Sequence, residues 1–192
     1  LASRGVQGER PFYQVLIPLR QLSSLLKLDD HWDVTKRSQR LVNVPRAKKF
    51  AKYLVENHKN ESMYVIPPLV GSLNGEFNFV EVQMDQYRNL GHLQIDLDAE
   101  MLLFDGQHRA KGIQLAMQEL PELAQSSVPI MLFPLLDLPD RQQAFHDINS
   151  MQKVPVDSIR IAYNNANPIA STLMDTIQAT DLRGVIEYEK NS

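Results

Sequence analysis

Five consecutive residues, Asp105-Gly106-Gln107-His108-Arg109, bring together the side chains best suited to chemistry in this chain. They lie between residues 101–104, which read as a strand, and a segment in which Ala110, Ile113, Met117 and Leu120 keep helical spacing up to Pro121. A strand-to-helix junction offers free N–H groups and the positive end of a helix dipole, an arrangement that suits an anion. Gly106 would let a ligand approach the backbone, and His108 and Arg109 add donors suited to a phosphate. Three uses are open to Asp105: capping the helix, holding Arg109 four residues on, or ligating a divalent metal that bridges a nucleotide's phosphates.

Two opposed readings of this turn follow. In an enzyme, Asp105 and Arg109 would bind a nucleoside triphosphate with magnesium, and His108 would act as general base or phosphate donor for nucleotide hydrolysis or DNA nicking. In the structural alternative, Asp105 is a cap, Arg109 its ion-pair partner and His108 a polar surface residue. Spacing alone favours the second, because one glycine does not make a phosphate loop and short motifs are weak signals. The sequence has no Walker-type Lys-Ser/Thr pair, Gly-x-Ser-x-Gly elbow or His-Glu-x-x-His helix. His108 and His146 are the two histidines near other candidate groups, and their wide separation makes a shared metal site a weak alternative.

A second feature is electrostatic. The formal charge of −3 conceals a split: residues 1–60 hold 12 Lys+Arg and 5 Asp+Glu, whereas residues 61–192 hold 8 and 18. Seven basic residues, Lys36, Arg37, Arg40, Arg46, Lys48, Lys49 and Lys52, follow one another with no acid between them. Pro45 fits a first helical turn, Asn43 stands where it can cap it, and no helix breaker follows up to Glu56. At 100° per residue, Ala47, Phe50, Ala51 and Leu54 share one face, and Arg46, Lys48, Lys49 and Lys52 the other. Such a helix is either a solvated surface element or a phosphate-contacting one whose binding weakens with salt. Two alanines make its inner face too weakly apolar for membrane insertion.

The elements that must position these residues read as an α+β domain, a mixed sheet flanked by helices. Strands are expected at residues 12–17, 92–97, 101–104 and 128–133, and helices at 19–28, from Pro139 to about 149 and after Pro168, with Phe145 and Ile148 facing inward. Pro67 and Pro68 point to a short or edge strand within 65–73. Asn74-Gly75, between that segment and the alternating residues 77–82, is the clearest hairpin signal. Residues 29–43 read as polar and irregular and carry Trp32, and the tail from 184 onward reads as frayed. With no cysteine, disulfides, thiolate nucleophiles and Cys-ligated metals are excluded. The longest apolar run, residues 128–136, is nine residues interrupted by two prolines, too short to cross a bilayer, and the expected setting is cytoplasmic. The start lacks both an initiating Met and a signal-peptide core, so a fragment of a longer chain is expected.

Phe104-Asp-Gly-Gln-His-Arg-Ala-Lys-Gly-Ile113 resembles the motif of the DGQHR domain family, and most closely its DndB members from bacterial DNA phosphorothioation (DNA sulfur modification) systems. The basic segment from Asn43 to Leu54 and the stretch Phe145-His-Asp-Ile-Asn149 followed by Lys153 and Val154 also resemble that family. The resemblance covers roughly residues 10–165 and implies that 166–192 begins a truncated C-terminal helical region. It further implies a distant relation to ParB-type and sulfiredoxin-like folds, in which Asp105, Gly106, Gln107, His108 and Arg109 would face nucleotide phosphates with Asn149 and Lys153 opposite. This turn is poorer in arginine than the ParB turn. For function, the resemblance implies a transcriptional repressor of a modification operon that binds duplex DNA, with other proteins of the modification system and a second copy of the chain as further partners.

Overall fold

A computed structural model describes residues 1–27, 41–82, 89–151, 157–164 and 167–186. Contacts divide the chain into two units, Leu1–Ser150 and Met151–Ser192.

The first unit is built on an eight-stranded mixed sheet. Its strands are β1 (Ala2–Gln7), β2 (Arg10–Pro18), β3 (Leu26–Lys27), β4 (Leu69–Asn74), β5 (Phe77–Glu81), β6 (Leu90–Ile95), β7 (Glu100–Asp105) and β8 (Ser127–Pro134), in the spatial order β3-β7-β4-β8-β2-β1-β6-β5. Two neighbouring pairs, β3–β7 and β4–β8, are parallel, and the other pairs are antiparallel. Its helices are α1 (Leu19–Leu25), α2 (Val44–Lys59), α3 (Gln107–Glu119) and α4 (Leu138–Ser150), with a 3-10 turn at Pro121–Gln125.

Period-2 alternation along the central strands sends two sets of side chains to opposite faces. Leu69, Leu73, Met101, Leu103, Val128, Ile130 and Leu132 join Leu54, Ala110, Ile113 and Ala116 of α2 and α3 in one buried cluster. Each fully buried Leu or Ile there contributes roughly 1.5–3 kcal/mol. The other face carries a row of rings, Phe12, Phe133 and Phe104, with centroids 5.8 and 6.2 Å apart. Helix α4 meets the sheet at β7.

The sheet also curls. In the paired order β2 and β5 are three strands apart, about 14 Å in a flat sheet. Tyr13 of β2 nevertheless meets Phe77 and Phe79 of β5 at 5.8 and 5.3 Å between ring centroids.

Several expectations change. Asn74-Gly75 joins β4 to β5 without a hairpin, because β4 is paired on both edges, with β7 and β8, and β5 pairs with β6. The same double pairing makes β4 an interior strand, and Pro67 and Pro68 lie in the irregular segment before it, where they remove no ladder bond. A tight hairpin forms instead between β1 and β2 at Gly8-Glu9, whose φ values of 53° and 63° suit the right-handed twist of the strands. Strand β1, with its Ser-Arg-Gly centre, carries no alternating signal of its own. Phe145 and Ile148 on α4 are half-buried, and the 29–40 part of the polar segment lies outside the described residues.

The second unit holds α5 (Asp157–Ala162), α6 (Pro168–Gln178) and a 3-10 turn at Asp181–Gly184. Asn167 starts α6, its side-chain oxygen accepting from the Ile169 and Ala170 N–H groups at 2.9 and 3.3 Å. Helices α5 and α6 pack on one another. Among the described residues of the whole chain no helix is long and apolar enough to cross a membrane.

Candidate functional site

Helix α2 forms as its sequence indicates. The Asn43 side-chain oxygen accepts the Arg46 N–H at 2.9 Å, and Pro45 occupies the first turn, where its missing N–H costs nothing. Ala47, Ala51, Leu54 and Val55 are buried against the core, while Arg46, Lys48, Lys49 and Lys52 are exposed. Lys52 pairs with Glu56 at 3.4 Å, one turn on. Arg46, Lys48 and Lys49 have no acidic partner among the described residues, so three full positive charges face solvent on a helix anchored from beneath. Lys36, Arg37 and Arg40, the remainder of the basic run, lie outside the described residues.

The Asp105–Arg109 turn is built differently. Asp105 ends β7, and Gly106 follows with φ of 96°, the left-handed conformation in which a side chain is strained. A Cβ at Gly106 would stand 2.5 Å from Leu69 Cδ2 and 3.1 Å from Arg109 Nη2. Close packing of the turn on itself is thus a sufficient reason for glycine here. The N-cap position of α3 is Gly106, which has no side chain to cap the helix. Asp105 Oδ2 accepts from Arg109 Nη2 at 2.7 Å, and the same nitrogen donates to the Pro68 carbonyl at 3.1 Å. Their side chains are only 22% and 24% exposed. Arg109 Nε is buried without a partner among the described residues. Arg109 is therefore a clamp joining the end of β7 to the segment leading into β4.

The other residues of the turn are variously placed. Gln107 is almost fully buried and His108 half-buried. Asn149 lies on α4, where its side-chain amide donates to the Phe145 carbonyl at 2.7 Å. Lys153 is outside the described residues. His146 is exposed and pairs with Asp147 at 3.3 Å. Among the described residues no three His, Asp or Glu side chains gather in a way that would hold a metal.

How the two features stand to each other could not be read from spacing. A Cβ on Gly112 of α3 would lie 2.8 Å from the Ala47 carbonyl oxygen and 2.9 Å from the Phe50 ring, so α2 and α3 touch backbone to backbone at this glycine. Toward the other end, Lys59 of α2 reaches Glu119 of α3 at 3.2 Å. Both contacts can hold only if the helices run parallel. Measured at 1.5 Å per residue from the Gly112 contact, the start of α3 is level with the start of α2. The basic helix and the clamped turn thus belong to the same end of the two-helix layer.

The DndB profile, described as DNA-sulfur modification-associated, matches residues 1–192. The chain belongs to the DndB family. DndB membership spans both units. No curated protein and no solved structure matches the chain significantly. The α+β class of this DndB chain therefore rests on its own strands and helices.

Proposed function

We propose that this DndB-family chain is a DNA-binding regulator, a repressor of the genes of a DNA sulfur-modification system, and that α2 contacts the phosphate backbone of duplex DNA. The observation that carries this reading is the run of exposed cations on α2, of which Arg46, Lys48 and Lys49 lack any acidic partner among the described residues. A Lys or Arg already paired gains little from a phosphate, because it gives up one anion for another. An unpaired, solvated one gains the Coulomb term and releases the phosphate's condensed counterions. The acidic remainder of the chain, 18 Asp+Glu against 8 Lys+Arg after residue 60, restricts that attraction to one small surface.

Phosphate contacts set affinity and orientation but do not read bases, so α2 by itself supplies grip and not operator choice. The test is a salt titration of affinity for a labelled duplex. In Lys48→Glu/Lys49→Glu/Lys52→Glu, affinity should fall on the order of 100-fold at about 100 mM salt and the slope of log K against log salt by about two, since Lys52 is already paired with Glu56. In cells, a reporter behind the promoter of the modification genes should be released from repression by the same change. Wild-type affinity and slope in the triple variant would leave α2 a solvated surface and the reading without support.

A further inference from the structure

The outer face of α2 carries one aromatic ring among its cations. Tyr53 follows Lys49 by four residues and Arg46 by seven, which at 100° per residue sets it about 40° and 20° round the helix from them. All three stand on the side opposite the buried Ala47, Ala51, Leu54 and Val55, and Tyr53 is 37% exposed. Long side chains on a helix lean toward its N-terminus, over the preceding turn. The Phe50 ring, 5.9 Å from that of Tyr53 between centroids, marks this direction. The phenol of Tyr53 therefore extends toward the level of Lys49.

The hydroxyl of this residue is held in place without being used up. Tyr53 Oη accepts the Val65 backbone N–H at 2.9 Å, which occupies an oxygen lone pair and leaves the O–H proton to be donated elsewhere. Among the described residues that proton has no acceptor. Tyr64, one residue before Val65, differs: its hydroxyl is part-buried and bonded to Ser126 Oγ at 2.8 Å. The ring of Tyr53 is braced as well, because Phe50 beside it packs on α3, where a Cβ at Gly112 would lie 2.9 Å from the Phe50 ring. A fixed O–H donor thus stands at the surface, one turn from a lysine that has no acidic partner among the described residues.

We infer that Tyr53 belongs to the DNA-contacting surface, its hydroxyl donating a hydrogen bond to a phosphate oxygen of the duplex that Lys49 grips. This rests on the reading of α2 as a DNA-binding helix. Residues four apart on a helix have Cβ atoms about 5–6 Å apart, so a lysine and a tyrosine in that relation can converge on one phosphate. Lysine supplies a point charge there, and the phenol a directional donor of the kind that fixes orientation on the backbone. Tyrosine carries no charge, so its contact adds affinity without changing the dependence on salt. Because ring and hydroxyl are braced before binding, little side-chain freedom is lost.

The test uses the full chain and a labelled duplex of about 20 base pairs, with affinity measured across a salt series. Tyr53→Phe keeps the ring and removes only the hydroxyl. It should weaken binding roughly tenfold at every salt concentration and leave the slope of log K against log salt at the wild-type value, whereas Lys49→Met should lower that slope by about one. The Val65 N–H loses its partner in Tyr53→Phe, but Val65 is exposed and water takes up the bond, so the melting temperature should hold. Tyr64→Phe, which removes the hydroxyl bonded to Ser126, should bind as wild type. A loss of affinity in Tyr53→Phe that comes with a lowered melting temperature would make Tyr53 a brace for the segment around Val65 and overturn the inference. If Tyr53→Phe binds as wild type while the Lys48/Lys49/Lys52 reversal weakens binding, the inference is overturned with the proposed function intact. If neither change affects binding, both fall.

Discussion

The exposed face of α2 and the Asp105–Arg109 turn are both rich in charge, lie at one end of the same two-helix layer, and use that charge in opposite ways. On α2 the cations are solvated and, at Arg46, Lys48 and Lys49, unmatched. At the turn the guanidinium is about three-quarters buried and already holds a carboxylate and a carbonyl oxygen. A solvated charge contributes little to stability and is available to a ligand. A largely buried pair is costly to break, because removing one member leaves the other charge uncompensated. The more conspicuous motif is thus the one whose Asp105–Arg109 pair is engaged within the fold, and the plainer helix is the one whose charge is open to a ligand.

That contrast can be broken most severely at the clamp. Arg109→Met leaves the Asp105 carboxylate without its partner and should destabilise the first unit by about 2–3 kcal/mol, less than a fully buried pair because both side chains keep some solvent contact. Denaturant unfolding of Arg109→Met, Asp105→Asn and the double variant should show a coupling of at least about 1 kcal/mol. The salt slope for DNA should meanwhile stay at the wild-type value, and a slope lowered by about one would count Arg109 among the phosphate contacts. If Asp105 served catalysis with a metal, magnesium-dependent hydrolysis of ATP would be present and lost in Asp105→Ala.

A smaller effect is expected at Gly106. Alanine there must accept φ near 96° and displace Leu69, for about 1–2 kcal/mol, read as a shift of a few degrees in the melting temperature of the first unit. The same loss in the absence of DNA would show that this glycine serves packing. The smallest effect belongs to the cap of α2: Asn43→Ala should cost about 1 kcal/mol and show as faster amide exchange in the first turn of the helix. DNA affinity should fall only as far as that turn frays.

Local signals were legible wherever a residue's environment is set by its own helix or strand. Asn43, Pro45 and the Ala47-Phe50-Ala51-Leu54 stripe specify α2 from within, since capping and helical periodicity are short-range. Residues 101–109 likewise announced a strand running into a helix. The hairpin at Asn74-Gly75 failed for the complementary reason. Turn propensity is local, but the partner of β4 is decided by which strands can flank it on both edges, and those are β7 and β8. Strand β1 escaped notice because β2 and β6 hold it in the sheet.

For the candidate site, the amino-acid sequence by itself determined the charge split, the basic outer face of α2, the strand-to-helix turn and the resemblance to the DndB family. All of these depend on which residues follow one another and on helix and strand periods. Only the tertiary structure decided that Asp105 holds Arg109 instead of capping α3, and that Gly106 is required by Leu69. It also decided that α2 and α3 run parallel, meeting at Gly112 and through the Lys59–Glu119 pair. Ion pairing and helix direction depend on groups brought together by the packing of α2 and α3 on one sheet face, and no spacing along a single helix encodes which way its neighbour runs.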